Sequence, residues 1–129
     1  MKTIEVSQNQ WANFCERLTQ QHREALVTVQ TEDGEGKITT LMQDKPLRAL
    51  RLDDRSDPCN TLLILETGLA AEKGSEHRVI DPLHIRLKDG SSDHYTRIQI
   101  LGENGATILT MHPGIDLAAA MEFSRPAAR

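Results

Sequence analysis

Apolar and polar positions change their spacing twice along this chain, and the changes mark its elements. Ile4 and Val6 alternate with Thr3 and Glu5, a two-residue period that predicts a short strand over residues 3–6. Trp11, Phe14, Cys15 and Leu18 then recur at i, i+3, i+4 and i+7, one apolar stripe on a helix. Ser7 is a suitable N-cap and Gln10 completes a capping box. Val6 and Trp11 have the spacing of a hydrophobic staple. The stripe ends near His22, where a ring at a helix C-terminus can donate to a backbone carbonyl and a cation is favoured. From Ala25 the period returns to two, with Ala25, Val27 and Val29 on one face.

The remainder reads as strands and turns. Residues 32–36 are a turn. Residues 38–42 predict one strand, Lys45-Pro46 interrupts it, and residues 47–52 predict another, followed by a polar loop over 53–58. The run Leu62-Leu63-Ile64-Leu65 is apolar on both faces, as expected of an interior strand covered on both sides. Residues 68–75 read as a loop or one weak helical turn, and residues 77–80 as a short strand that Asp81-Pro82 ends. Leu83, Ile85 and Leu87 are expected to face the core, with His84, Arg86 and Lys88 opposite. Residues 89–93 turn the chain and 95–101 return. Asn104-Gly105 marks a two-residue hairpin loop before 106–111. That loop pairs Glu103 with Ala106. It predicts Leu101 opposite Ile108, Ile100 opposite Leu109 and Ile98 opposite Met111.

These elements imply an α+β fold: an N-terminal amphipathic helix packed on a largely antiparallel, strongly twisted or barrel-like sheet of about seven strands. The length of 129 residues suits a single domain. Residues 1–113 make the helix and sheet, and 114–129 a C-terminal segment, partly helical or disordered. Leu101 and Ile108 fall on the face opposite Ile98, Ile100, Leu109 and Met111, and need cover. Residues 115–123 can supply it within the chain. Otherwise a second subunit does, and a homodimer is the expectation.

Composition narrows the chemistry. Hydrophobic residues are 38% and charged residues 26%, so the chain is globular. A net charge of -4 argues against a surface that neutralises phosphate backbones. One Trp, one Tyr and two Phe leave few platforms for stacking bases, so no nucleic-acid partner is expected. No apolar run is long enough to span a bilayer, and residues 1–5 contain no apolar core of a signal peptide. Cys15 and Cys59 share no pairing pattern, and a cytoplasmic setting with reduced thiols is expected.

Several residue groups invite chemistry and decline it on spacing. His22, His77, His84, His94 and His112 form no HxH or HxxxH pair and no pair with a cysteine at ligand spacing, so no metal is expected. Cys15 lies in the apolar stripe and reads as a packing residue, while Cys59 follows Pro58 with no base to name. Asp53, Asp54 and Asp57 lack the alternation of a calcium loop. No nucleotide fingerprint or nucleophile elbow is present, and no cofactor is implied. The group that remains is basic. His84, Arg86 and Lys88 share the outer face of one strand, and Tyr95, Arg97 and Gln99 that of its neighbour. His84, Arg86, Tyr95 and Arg97 are the candidate binding residues for an anion or an acidic partner segment. The competing account is a solvated strand face whose charges block aggregation.

The order of elements also resembles a bacterial family of unknown function, catalogued as domain of unknown function 5335. Three places carry the resemblance. The first is Ile4-x-Val6, then Trp11-x-x-Phe14, His22 and Leu26-Val27-Thr28-Val29; the second is Pro46-Leu47 before a strand. The third runs from His77 and Pro82 through Ile85-Arg86-Leu87 and Ile98-Gln99-Ile100 to Gly105-x-Thr107. Together they cover most of residues 3–111. Arg23-Glu24-Ala25 stands where the family has a Gly-Trp pair, and the C-terminal segment lies outside the resemblance. The family brings no catalytic residues. The first functional reading is therefore a small non-enzymatic domain that acts by binding or self-association. The second is an anion binder on the basic strand face. An enzyme comes last, because no nucleophile–base pair can be written down.

Overall fold

The computed structural model describes residues 3–54, 61–68, 74–89, 96–103 and 105–112, apart from the side chains of Asp54 and Asp89. Strand β1 (Thr3–Val6) leads through a 3-10 turn (Gln8–Gln10) into helix α1 (Trp11–Gln21). There follow β2 (Leu26–Asp33), β3 (Ile38–Asp54), β4 (Thr61–Thr67), β5 (Ser75–Ile80), β6 (His84–Asp89), β7 (Thr96–Gly102) and β8 (Gly105–His112). Among the described residues these strands form one antiparallel sheet in the order β1-β6-β7-β8-β2-β3-β4-β5. There are eight strands where about seven were expected. The sheet is not a closed barrel: β1 and β5 remain its two ends. No helix among the described residues is long and apolar enough to cross a membrane.

The helix stripe packs as its spacing requires. Trp11, Phe14, Cys15 and Leu18 are all buried, together with Val27, Val29, Leu50, Leu63, Ile98 and Leu109 from the sheet. The indole Nε1 of Trp11 donates to the Val6 carbonyl at 3.0 Å, so the residue that fills the core also ties β1 to the helix. The capping box does not form. Residues 8–10 tighten into a 3-10 turn instead, and the Gln10 N–H donates to the Ser7 carbonyl at 2.8 Å. That backbone bond satisfies the donor a hydroxyl cap would have served, and α1 starts at Trp11. At the other end His22 closes the helix through its backbone N–H to the Leu18 carbonyl, 2.9 Å. Its ring is half-buried, and loss of solvent pulls its pKa down, which favours the neutral ring over the cation expected there.

The main departure lies in β3. Residues 38–54 form one strand, not two with a break at Lys45-Pro46. Register shifts between Val27 and Gln30, and a left-handed Asp44 (φ 51°), let it bend without ending. Its first half pairs with β2 and its second half, Leu47 to Asp54, with β4. Pro46 is tolerated because its carbonyl still accepts from the Gly68 N–H at 2.8 Å. Where β3 leaves β2, other groups take over its edge. Leu47 exchanges bonds with Glu24 and Ala25, each 2.8 Å. Farther along, the Thr19 hydroxyl of α1 accepts from the Leu50 N–H at 3.0 Å and lies 3.1 Å from the Leu50 carbonyl. A helix side chain thus stands in for a missing strand.

Two further expectations shift. Leu83 is not a core residue: it precedes β6 and is 55% exposed, while Ile85 and Leu87 are fully buried. The β7–β8 hairpin turns one residue earlier than Asn104-Gly105 implied, which moves each partner by two residues. Gly102 faces Gly105, Leu101 faces Ala106 and Ile98 faces Leu109. Gly105 comes so close to β2 that an added Cβ would lie 2.3 Å from the Glu32 carbonyl oxygen, so this glycine belongs inside the pairing and not at the turn's centre. A two-residue slip preserves faces. Ile98, Ile100, Leu109 and Met111 are therefore buried as expected, and Leu101 and Ile108 are half-buried opposite them. Leu62 to Leu65 are buried on both faces of β4, between β3 and β5. Cys59, His94, Tyr95, Asn104 and the C-terminal segment lie outside the described residues.

Candidate functional site

Two places on the fold bring chemistry-bearing groups together. The first is the outer face of β1, β6 and β7. Alternation puts Ile85 and Leu87 inward, which aims His84, Arg86 and Lys88 outward. Pairing sets Arg86 between Glu5 on β1 and Gln99 on β7, and Lys88 opposite Arg97. The Glu5 carboxylate bridges two of these groups. One oxygen lies 3.0 Å from His84 Nδ1, and the other accepts from Arg86 Nε at 3.0 Å. These bonds, His84 first and then Arg86, hold the Glu5 pKa below its ordinary value. Of the four residues the sequence singles out, His84, Arg86 and Arg97 share this face, and Tyr95 falls outside the described residues. Glu5 was missed. Its alternation with Ile4 and Val6 marks it as outward-facing, but only the β1–β6 pairing puts it beside residues about eighty positions away.

Lys88 and Arg97 face each other directly across the strands, which costs stability unless an anion lies between or near them. The face can therefore hold a carboxylate or phosphate, and the Glu5 carboxylate shows the geometry His84 and Arg86 offer to one.

The second place is a cleft of about 460 Å³ between β5 and the turn end of β7 and β8. The sheet curls until His77 Nε2 stands 3.5 Å from Thr107 Oγ1. Ile100 and Thr107, both buried, form the floor with half-buried Val79. Glu32, Asp81 and Glu103 are among the residues that border the cleft, and Asp81 and Glu103 are exposed. Burial lowers the His77 pKa, so its ring is neutral near pH 7, with one donor and one acceptor nitrogen. No local motif announces this cleft, because its two sides come from segments that meet only when β5 folds back over β7.

The other candidates lie elsewhere. Cys15 is buried in the core, and loss of solvent pushes its thiol up to about 12, so it is no nucleophile at neutral pH. Among the described residues no group of three His, Cys, Asp or Glu is placed to hold a metal ion. No family model, curated protein or solved structure matches the chain.

Proposed function

We propose that this chain is a non-enzymatic binding module whose outer β6–β7 face takes an anionic group, from a small ligand or from an acidic segment of a partner. One observation carries the reading: Lys88 and Arg97 stand opposite each other beside Arg86 and His84, in a chain of net charge -4. A sheet face meant only to stay solvated has no need of like charges in register. The same proposal includes kinship with the bacterial family named above, supported by the order of strand, helix and strand in residues 3–33.

The test is titration of labelled protein with inorganic phosphate. Shifts centred on His84, Arg86, Lys88 and Arg97, lost in the Lys88→Ala/Arg97→Ala variant, are expected. Glu5→Gln should tighten binding, because it removes the carboxylate that competes for His84 and Arg86. Shifts that spread evenly over the surface would overturn the reading.

Self-association is the second reading. Leu26 and Ile38, both well exposed, lie on the same outer face as half-buried Ile108. A second copy would bury them, and sedimentation across micromolar concentrations tests this.

A further inference from the structure

Among the described residues the end strand β5 has no partner strand on its far side, and the cleft runs along it. The Asp81 N–H donates to the Thr61 carbonyl at 2.9 Å, in the same register that pairs Val79 with Leu63 and His77 with Leu65. Antiparallel pairs alternate between bonded and non-bonded positions. Ser75, His77 and Val79 therefore exchange bonds with β4, and Glu76, Arg78 and Ile80 direct their N–H and C=O groups away from it. Arg78 and Ile80 also line the cleft. An end strand with outward-directed backbone groups is a template for another strand.

Proteins commonly protect such an edge with a proline, a bulge or charged side chains; on β5 the charges are Glu76 and Arg78, which pair with each other. β5 has no proline, and its pairing with β4 is continuous. Ile80 is 72% exposed at its end, with Leu83 beyond the turn. The surrounding charge is acidic. Glu32, Asp81 and Glu103 border the cleft, whereas Arg78 is held by Glu76 through an ion pair of 2.5 Å. Below that rim the floor of Val79 and Ile100 is apolar, with the His77–Thr107 pair at one side.

We infer that the open edge of β5 takes an extended peptide segment of alternating basic and apolar residues from a partner protein, as an added strand. Backbone groups of Glu76, Arg78 and Ile80 pair with the incoming segment. Its apolar side chains, two residues apart, reach the floor at Val79 and Ile100. Its lysine or arginine side chains meet the exposed Asp81 and Glu103. This is strand addition with a pocket that reads alternate side chains, and it uses a surface separate from the β6–β7 face.

The probe is a blocked valine–lysine hexapeptide with strict alternation, titrated into the full labelled chain. Amide exchange at Glu76, Arg78 and Ile80 is expected to slow by at least tenfold at saturation, with little change at Ser75, His77 and Val79, which already donate to β4. The matched valine–glutamate peptide should bind at least tenfold more weakly. Arg78→Pro removes one outward N–H but no bond to β4, and is expected to abolish the protection. If that variant does not fold, Asp81→Asn and Glu103→Lys keep the test alive: each should weaken the basic peptide several-fold and leave the melting temperature unchanged, since asparagine tolerates the left-handed backbone at position 81 (φ 51°). Equal binding of the two peptides, or shifts confined to β6 and β7, overturns the inference. So does protection of the three amides without peptide. A dimer in sedimentation would then assign the edge to a second copy, and a monomer would assign it to the chain's own C-terminal segment.

Discussion

Thr19→Val tests how the helix holds the bent strand. The Thr19 hydroxyl accepts from the Leu50 N–H at 3.0 Å and has two acceptors for its single proton, the Leu50 carbonyl at 3.1 Å and the Cys15 carbonyl at 2.9 Å. Valine has the same shape and similar helix propensity, so it removes the bonds and little else. It leaves the Leu50 N–H without its partner at a place where β3 has already parted from β2. An unmade bond to a buried backbone group costs about 1–3 kcal/mol. Thr19 is half-buried, so water recovers part of this, and the expected loss is about 2 kcal/mol. With a urea slope of about 2 kcal/mol/M, the midpoint should fall by about 1 M. Thr19→Ser keeps the hydroxyl and should lose well under 1 kcal/mol. If valine and serine melt alike in urea, the hydroxyl is not what holds the β3 edge.

Gly105→Ala should destabilise by about 2 kcal/mol or more, because the new methyl meets the Glu32 carbonyl and the backbone sits at φ +156°; an unchanged melting temperature would contradict this. Trp11→Ala should cost about 3–5 kcal/mol through loss of core volume, and Trp11→Phe about 1 kcal/mol through the lost bond to Val6, both read from denaturant midpoints. The pKa values of His22 and His77 are lowered in the fold, so the unfolded chain takes up these protons first. Their contribution to stability is complete above the ordinary value of 6.5 and is lost as pH falls through the folded values. The urea midpoint should therefore drop as pH falls below about 6.5, and His77→Gln should make that drop shallower.

Much of the fold was legible locally. The stripe from Trp11 to Leu18 and the alternation through Val27, Val29, Ile85, Leu87, Ile98 and Leu109 identified core residues correctly, since burial on one face leaves a periodic trace. The basic face was legible for the same reason, as the complement of Ile85 and Leu87. Errors came where a local sign was overruled by distant pairing. Lys45-Pro46 reads as a break, yet β2 on one side and Gly68 on the other carry the strand through it. Asn104-Gly105 reads as the turn, yet the close approach of Glu32 draws Gly105 into the sheet.

By itself, then, the order of residues determined which side chains turn inward, which elements they form and which strand carries the basic groups, because each depends on neighbours a few positions away. The tertiary structure alone decided the strand order, the Glu5 carboxylate laid across His84 and Arg86, the Thr19 hydroxyl on the β3 edge and the cleft beside β5. Each of these joins residues tens of positions apart. Such contacts depend on how a long bent strand and a curled sheet close over a shared core, and a one-dimensional pattern of polarity holds no record of that closure.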